Sequence, residues 1–179
     1  MLWQPTLASD LVQLRPLRES DWPGLLTAAS DPLVWEVHPE PTRHRPEVFA
    51  KFFAGGLESQ GALAIEDPRT GAVIGSSRYT SHREDTSSVE IGYTFLERAY
   101  WGGEYNRHVK ALMLRHAFTH VDSVYFVVGE HNVRSRRAME KIGGVLVPAD
   151  AAPIADPTGH VVFRIARENW QDPLVRARE

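Results

Sequence analysis

The sequence predicts one α/β domain, a single mixed and largely antiparallel sheet of about seven strands with helices on both faces. Short runs of alternating apolar or β-branched residues predict the strands, and longer segments with one apolar stripe predict the helices. A chain of 179 residues can bury a full core, so we expect a single domain over residues 1–179. With 42% hydrophobic and 24% charged residues, the composition is that of an ordinary globular protein.

Composition excludes several classes of protein. A net charge of −3 argues against a general nucleic-acid binder, which carries a basic excess. The absence of cysteine excludes a disulfide scaffold and thiolate chemistry, and it fits a reducing compartment. No signal peptide is evident, and no run approaches the roughly 20 apolar residues of a membrane span. We therefore expect a cytoplasmic protein that uses neither a membrane nor nucleic acid as its partner.

The histidines do not predict a metal site. His38 and His44 form one pair, and His116 and His120 form another at a spacing of one helical turn. His116 falls on an apolar stripe, and no acidic residue stands at ligand spacing beside that pair. We therefore expect no bound metal.

The first half of the chain is predicted to begin with a strand, a helix and a loop. Residues 11–16 alternate as a strand does, and Ser20 and Pro23 suit the start of a helix over 21–30. Four prolines make residues 31–46 an irregular loop. The next predicted elements are a helix over 47–60, a hairpin of strands over 62–66 and 72–79, and a polar loop over 80–87.

The centre of the chain reads as a strand, a glycine loop and a long helix. Residues 89–96 alternate in polarity, and residues 105–118 place their apolar side chains on one stripe, with Lys110 off it. The turn through Gly102 and Gly103 leaves unpaired N–H groups at the helix start. Together with the positive end of the helix dipole, these groups form an anion site.

A second unit of strand, loop and helix follows. Residues 121–128 form a β-branched and aromatic run, and Asn132 begins a helix over 132–142 that Gly143 and Gly144 end. The last predicted elements are a strand over 145–147, a loop over 148–159, a strand over 161–165 and a terminal helix over 167–176.

This order of elements and motifs resembles the acyl-CoA-binding half of the GNAT superfamily of N-acetyltransferases. The segments FLERAYWGGEYN and NVRSRRAMEKIGG look most like the branch that acetylates the N-termini of ribosomal proteins. The resemblance covers nearly the whole chain. It implies the GNAT fold, acetyl-CoA as the co-substrate and a primary amine as the acceptor.

The resemblance also implies which residues hold acetyl-CoA. In GNAT proteins the pantetheine arm lies along the central strand, and the pyrophosphate rests on the loop before the long helix. The family loop is written [R/Q]-x-x-G-x-[G/A], and this chain departs from it with Trp101, Glu104 and Asn106. The predicted cofactor-binding residues are Thr94, Phe95, Leu96, Trp101, Gly102, Gly103, Glu104, Tyr105, Asn106, Asn132, Ser135 and Arg137.

Two residues are predicted to move protons, because an amine must lose a proton to attack and the leaving thiolate must gain one. Glu90 is the candidate base; Glu130 and His131 are the alternatives. Ser135 is the candidate donor to the thiolate, although it can equally be a helix serine that packs against the arm. For the acceptor, the resemblance implies contacts in the loop over 31–46, and the predicted substrate-binding residues are Trp35, His38 and Arg78.

The predicted function is that of an N-acetyltransferase in which an amine attacks the thioester of acetyl-CoA directly. The acceptor is a peptide N-terminus or a small-molecule amine. A different class stays open, a non-catalytic acyl-CoA sensor or interaction module of the same fold. The departure at Glu104, and the absence of the tyrosine that many GNAT enzymes use, keep this alternative open. A homodimer is also compatible with the sequence.

Overall fold

The computed structural model describes residues 3–151 and 158–175, and it contains eight strands and four α-helices within them. The strands are β1 (Leu7–Ala8), β2 (Gln13–Pro16), β3 (Ala62–Asp67), β4 (Ala72–Arg83), β5 (Ser88–Leu96), β6 (Ser123–Gly129), β7 (Val145–Val147) and β8 (His160–Ala166). The α-helices are α1 (Trp22–Ala29), α2 (Pro46–Glu58), α3 (Tyr105–Ala117) and α4 (Val133–Lys141).

The eight strands form one sheet in the order β1-β2-β3-β4-β5-β6-β8-β7. β5 and β6 run parallel, whereas β1–β2, β2–β3, β3–β4, β6–β8 and β7–β8 are antiparallel pairs. The predicted α/β fold with a mixed, largely antiparallel sheet is confirmed. The additional strand is β1, which at two residues is too short to show a hydrophobic period.

The chain divides into two compact units, which are described separately. The first consists of Met1–Arg78 and Tyr93–Val109. Its core is aromatic: α2 buries Phe49 and Phe53, and the loop before it buries Trp35. The Trp35 indole N–H donates to the Ala29 carbonyl at 2.8 Å. Each such buried aromatic side chain contributes about 1.5–3 kcal/mol to stability.

The second unit consists of Tyr79–Gly92 and Lys110–Glu179. β6 buries Val124, Phe126 and Val128 on one face and pairs along its whole length with β8. The Tyr79 hydroxyl donates to the Met113 carbonyl at 2.7 Å, which ties β4 to α3. A buried hydroxyl with such a partner avoids the cost of desolvation without a hydrogen bond.

Four details of the predicted elements are wrong. Residues 80–83 continue β4 instead of opening a polar loop. The C-terminal segment makes a short 3-10 turn over Arg167–Asn169 instead of a helix, in accord with Pro173, which disfavours helical backbone before it. Ser20 lies inside a 3-10 turn and does not cap α1. Lys110 is buried, because α3 buries every residue over 109–114.

The predicted loop over 148–159 and the predicted helix over 167–176 lie partly outside the described residues.

Candidate active site

The predicted pantetheine strand, β5, lies tightly against β4 in the first unit. The hydroxyl groups of Ser77 and Thr94 are hydrogen-bonded at 2.7 Å. At Gly75 the two backbones approach so closely that a Cβ would lie 2.1 Å from the Phe95 carbonyl oxygen. Only glycine fits there, so the backbone position of Thr94, Phe95 and Leu96 depends on this residue.

The predicted phosphate loop turns sharply before α3. The Trp101 indole N–H donates to the Leu96 carbonyl at 2.9 Å, and Trp101 packs against the aromatic core. Gly102 has a φ of +73°, a conformation that suits glycine, and Gly103 is exposed beside it. α3 then begins at Tyr105, with Asn106 as its second residue, and it has no acidic residue in its first turn.

Glu104, where the family has glycine, does not carry an unbalanced charge. Its carboxylate forms an ion pair with Arg107, three residues further along the chain. The repulsion expected between Glu104 and a phosphate is therefore reduced by a neighbouring cation.

Tyr105 is held in place from the β3–β4 turn. Arg69 donates to the Tyr105 hydroxyl at 2.6 Å and forms a two-pronged interaction with the buried carboxylate of Asp67. These hydrogen bonds from Arg69 lower the pKa of Asp67 to about 2. The ring of Tyr100 lies 4.9 Å from that of Tyr105, edge to face. The start of α3 is thus fixed by contacts outside the helix.

Two of the predicted acceptor residues, Trp35 and His38, lie together. Their rings meet edge to face at 5.4 Å, and Trp35 also contacts Phe95 of β5 at 5.0 Å. Arg43 joins them, because its Nη1 lies 3.0 Å from Nδ1 of His38 and its guanidinium carbon lies 5.0 Å from the Trp35 ring centroid. Arg43 is not among the predicted acceptor residues, although the loop that carries it is predicted to contact the acceptor.

Arg78, the third predicted acceptor residue, reaches the same group of aromatic rings. Its guanidinium carbon lies 4.2 Å from the Tyr93 ring centroid and 5.8 Å from that of Phe52. It donates to the Phe52 carbonyl at 3.3 Å, and burial lowers its pKa. Tyr93 has a φ of +53° and is 48% exposed. A bulky side chain in this conformation costs about 1–3 kcal/mol, and such residues cluster at functional sites.

In the second unit, the predicted base Glu90 is half-buried on β5. Ser81 donates to its carboxylate at 3.2 Å, and burial, the largest cause, raises the pKa of Glu90 above its usual value. The parallel β5–β6 ladder covers three residue pairs, and Glu90 lies opposite Tyr125 in the last of them. A half-buried carboxylate at the end of a strand ladder is suited to proton transfer.

The predicted helix N-cap, Asn132, is confirmed. Asn132 is buried, and its side-chain oxygen accepts from the Ser135 backbone N–H at 3.1 Å. Ser135 is half-buried in the first turn of α4, whereas Arg137 is exposed. The alternative bases form a pair with each other: a ring nitrogen of His131 lies 3.0 Å from Glu130, and His131 is 91% exposed.

Two absences hold for the part of the chain that the structure describes. Within residues 3–151 and 158–175, no three His, Cys, Asp or Glu side chains are grouped so that they can hold a metal ion. Over the same residues, no helix is both long and apolar enough to cross a membrane.

Comparisons with known proteins agree with this architecture. Residues 12–145 match the acetyltransferase (GNAT) domain family. An acetyltransferase from Agrobacterium tumefaciens str. C58 has a TM-score of 0.72 and 26% identity, over 91% of this chain and 95% of that chain. Mycobacterium smegmatis RimJ, in complex with CoA-disulfide, has a TM-score of 0.69 and 19% identity, over 93% of this chain and 89% of that one.

A ribosomal-protein-S5-alanine acetyltransferase from Vibrio fischeri has a TM-score of 0.65 and 16% identity, over 93% of this chain and 99% of that chain. At such low identities, the likeness to RimJ and to the Vibrio fischeri protein shows the fold alone. The search of curated proteins gives no match.

Proposed function

The chain belongs to the GNAT family of acetyltransferases, and from that premise we propose that it transfers the acetyl group of acetyl-CoA to a primary amine. The acceptor is a peptide N-terminus or a small-molecule amine. Family membership favours this enzyme over a non-catalytic acyl-CoA module. The observation that carries the proposed mechanism is the half-buried carboxylate of Glu90 on β5.

The residues of the first unit suit acetyl-CoA, which supplies the activated acetyl thioester. Backbone groups of Thr94, Phe95 and Leu96 bind the pantetheine amides, and an N–H group among them polarises the thioester oxygen. N–H groups over residues 102–106 bind the pyrophosphate, together with the helix dipole of α3. The ion pair between Glu104 and Arg107 supports this assignment, because Arg107 balances the negative charge that Glu104 places where the family has glycine.

Glu90 takes the proton from the amine. An α-amine has a pKa of roughly 8, so most of it arrives protonated at neutral pH and must lose a proton before it attacks. Burial raises the pKa of Glu90 and so brings its proton affinity closer to that of the amine. A base whose pKa is closer to the operating pH is more effective, provided that it is still ionised.

Ser135 passes a proton to the departing thiolate and takes one from solvent, so that its hydroxyl group is restored. Its position is fixed by Asn132, whose side chain accepts from the Ser135 backbone N–H. Replacing Ser135 by Ala is expected to lower kcat and leave the affinity for acetyl-CoA unchanged. A loss of acetyl-CoA affinity with unchanged kcat would instead make Ser135 a binding contact.

The experiment that tests this proposal is the pH dependence of free-thiol release from acetyl-CoA in the presence of an amine panel. We expect Glu90→Gln to lower kcat at neutral pH by about 100-fold, the size of a general-base contribution. The native profile falls as the pH drops through the raised pKa of Glu90, because protonation removes the base.

The Glu90→Gln variant is expected to lose that acidic limb of the profile. Glu84→Gln, at an exposed position before β5, is the matched control and keeps native rates. Native activity in Glu90→Gln at every pH would remove Glu90 from the mechanism, and Glu130→Gln and His131→Gln would then test the alternative bases.

We also propose a cytoplasmic location, which the absence of cysteine supports.

A further inference from the structure

Two arginines share one aromatic platform in the first unit. The guanidinium carbon of Arg43 lies 4.8 Å from the ring centroid of Phe52, and that of Arg78 lies 5.8 Å from the same centroid. Arg43 also covers Trp35, and Arg78 also covers Tyr93. We call these five residues the arginine–aromatic cluster. Each cation is held by ring faces, which orient it without neutralising its charge.

Neither positive charge of the cluster forms an ion pair within the described residues. Over residues 3–151 and 158–175, neither arginine has a carboxylate oxygen within 4.0 Å. Glu40 acts on Arg43 only by its charge from further away, while Arg78 opposes it with a like charge. Burial lowers the pKa of both guanidinium groups. A buried cation without a counter-charge is costly, and an anion that binds there removes part of that cost.

Arg78 also has an unused hydrogen-bond donor. Its side chain is 9% exposed, and its Nε is buried with no hydrogen-bond partner in the described part of the chain. Arg78 lines a cavity of about 10 Å³ with Phe52, Ser76, Ser77 and Tyr93 among the other lining residues. A space of this size holds about one oxygen atom or one water molecule. A buried donor without a partner costs free energy, and a ligand oxygen that reaches it removes that cost.

The cluster lies beside the strand that we assign to the acetyl group. Phe95 of β5 lies 5.0 Å from Trp35 and 5.8 Å from Phe52, measured between ring centroids. Ser77, the neighbour of Arg78 in β4, is hydrogen-bonded to Thr94 at 2.7 Å. A ligand held by the cluster is therefore close to the backbone that binds pantetheine in the proposed function.

We propose that the arginine–aromatic cluster binds a carboxylate of the acetyl acceptor, so that the substrate is an amine that also bears a carboxylate. The guanidinium group matches a carboxylate in shape and charge, and the aromatic rings keep it oriented. The carboxylate is that of a free amino acid or of an acidic residue at a peptide N-terminus. This inference rests on the proposed function, because it names the acceptor class of the same site.

The test compares acceptors that differ only in the carboxylate. Glycine, alanine, aspartate and glutamate are compared with their carboxamides, at saturating acetyl-CoA and at a fixed fraction of free amine. We expect kcat/KM to be about 10- to 100-fold higher for the best carboxylate than for its amide, as for the loss of a hydrogen bond to a charged group. Peptides with N-terminal Asp or Glu and an amidated C-terminus distinguish a peptide acceptor from a free amino acid.

Substitutions in the cluster test whether the preference for a carboxylate depends on its arginines. In Arg78→Met and in Arg43→Met we expect the preference for the carboxylate to fall by about 10-fold or more, mainly through KM. Arg78→Lys keeps the charge without the planar fork and should retain part of the preference. Arg83→Met, which removes an exposed arginine paired with Asp85, is the control with native selectivity. Arg43 is only half-buried, so its variant keeps the test valid if Arg78→Met folds poorly.

The outcomes separate the two proposals. Acetylation of amines without preference for a carboxylate would overturn the inference and leave the proposed function intact. A preference that persists unchanged in both methionine variants would overturn the assignment to the cluster. No transfer to any amine, despite binding of acetyl-CoA, would overturn the proposed function and this inference with it.

Discussion

Arg15 and Arg78 are both cations of the first unit with little exposed surface, yet their surroundings differ. The Arg15 side chain is 14% exposed and donates to both oxygens of Asp21, at 2.7 and 2.9 Å, and to Glu66 at 2.8 Å. Those carboxylates raise the pKa of Arg15, whereas burial lowers the pKa of Arg78. Arg15 therefore has the contacts of a structural ion pair. Arg78 has no carboxylate partner among the described residues, as expected of a residue that binds a ligand.

The difference shows that the role of a charged residue can be inferred from the groups that contact it. A cation with two carboxylates contributes to the fold, and its removal leaves those carboxylates unpaired. A cation that rests on aromatic rings and one carbonyl oxygen adds little to the fold, because the cost of its burial offsets its contacts. The predictions below test this contrast, from the largest expected effect to the smallest.

Replacing Arg15 by Met should have the largest effect on stability. Asp21 would remain buried with the Arg18 backbone N–H but without its cationic partner, so we expect the free energy of unfolding to fall by about 3–5 kcal/mol. Urea denaturation followed by circular dichroism measures this change. The acceptor preference of the folded fraction should stay native. A loss below 1 kcal/mol would be a surface value and would contradict the structural role.

Lys110 provides a third kind of buried cation, in the second unit. It is 3% exposed, and burial lowers its pKa to about 7. Between that value and the ordinary lysine pKa of about 10.4, the unfolded chain binds the extra proton, so stability should rise with pH over this interval. Replacing Lys110 by Met should remove this part of the slope, because methionine carries no titratable group.

Urea denaturation at pH 7 and pH 9 measures the Lys110 prediction. The unfolding free energy of the native protein minus that of the variant should increase as the pH rises. A difference that is independent of pH would show that Lys110 is not deprotonated in the folded protein over this interval.

Replacing Arg78 by Met should have the smallest effect on stability. The variant loses the Phe52 hydrogen bond and the Tyr93 contact but no longer buries a charge, so we expect a change below about 1 kcal/mol. Thermal unfolding of native protein and variant side by side measures it. A loss as large as that of Arg15→Met would make Arg78 a structural residue.

Much of the fold could be predicted because its patterns are local. The alternation in β5 and the β-branched run of β6 identify strands without knowledge of the tertiary structure. The α4 N-cap follows from Asn132 before an amphipathic segment. β7 has its predicted bounds, Val145–Val147, because Gly143 and Gly144 end the preceding helix directly before it.

The features that failed depend on tertiary contacts. The end of β4 carries polar residues on both faces, with Ser81 at a φ of +52°, so a hydrophobic period cannot reveal it as strand. Lys110 is lysine on a helix that buries more than one stripe, and residue type alone assigns it to solvent. Arg43 is one charged residue in a proline-rich loop. Only folding places it over Phe52 of α2.

The most direct measurement of the contrast is the Nε–H resonance of each arginine in a titration with acceptor, at saturating CoA. Arg15 Nε donates a hydrogen bond to Glu66 and serves as the internal reference, whereas Arg78 Nε has no hydrogen-bond partner in the described residues. We predict that an amino acid acceptor shifts the Arg78 signal, that its amide does not, and that Arg15 stays fixed. An unchanged Arg78 signal at saturating acceptor would contradict carboxylate binding by the cluster.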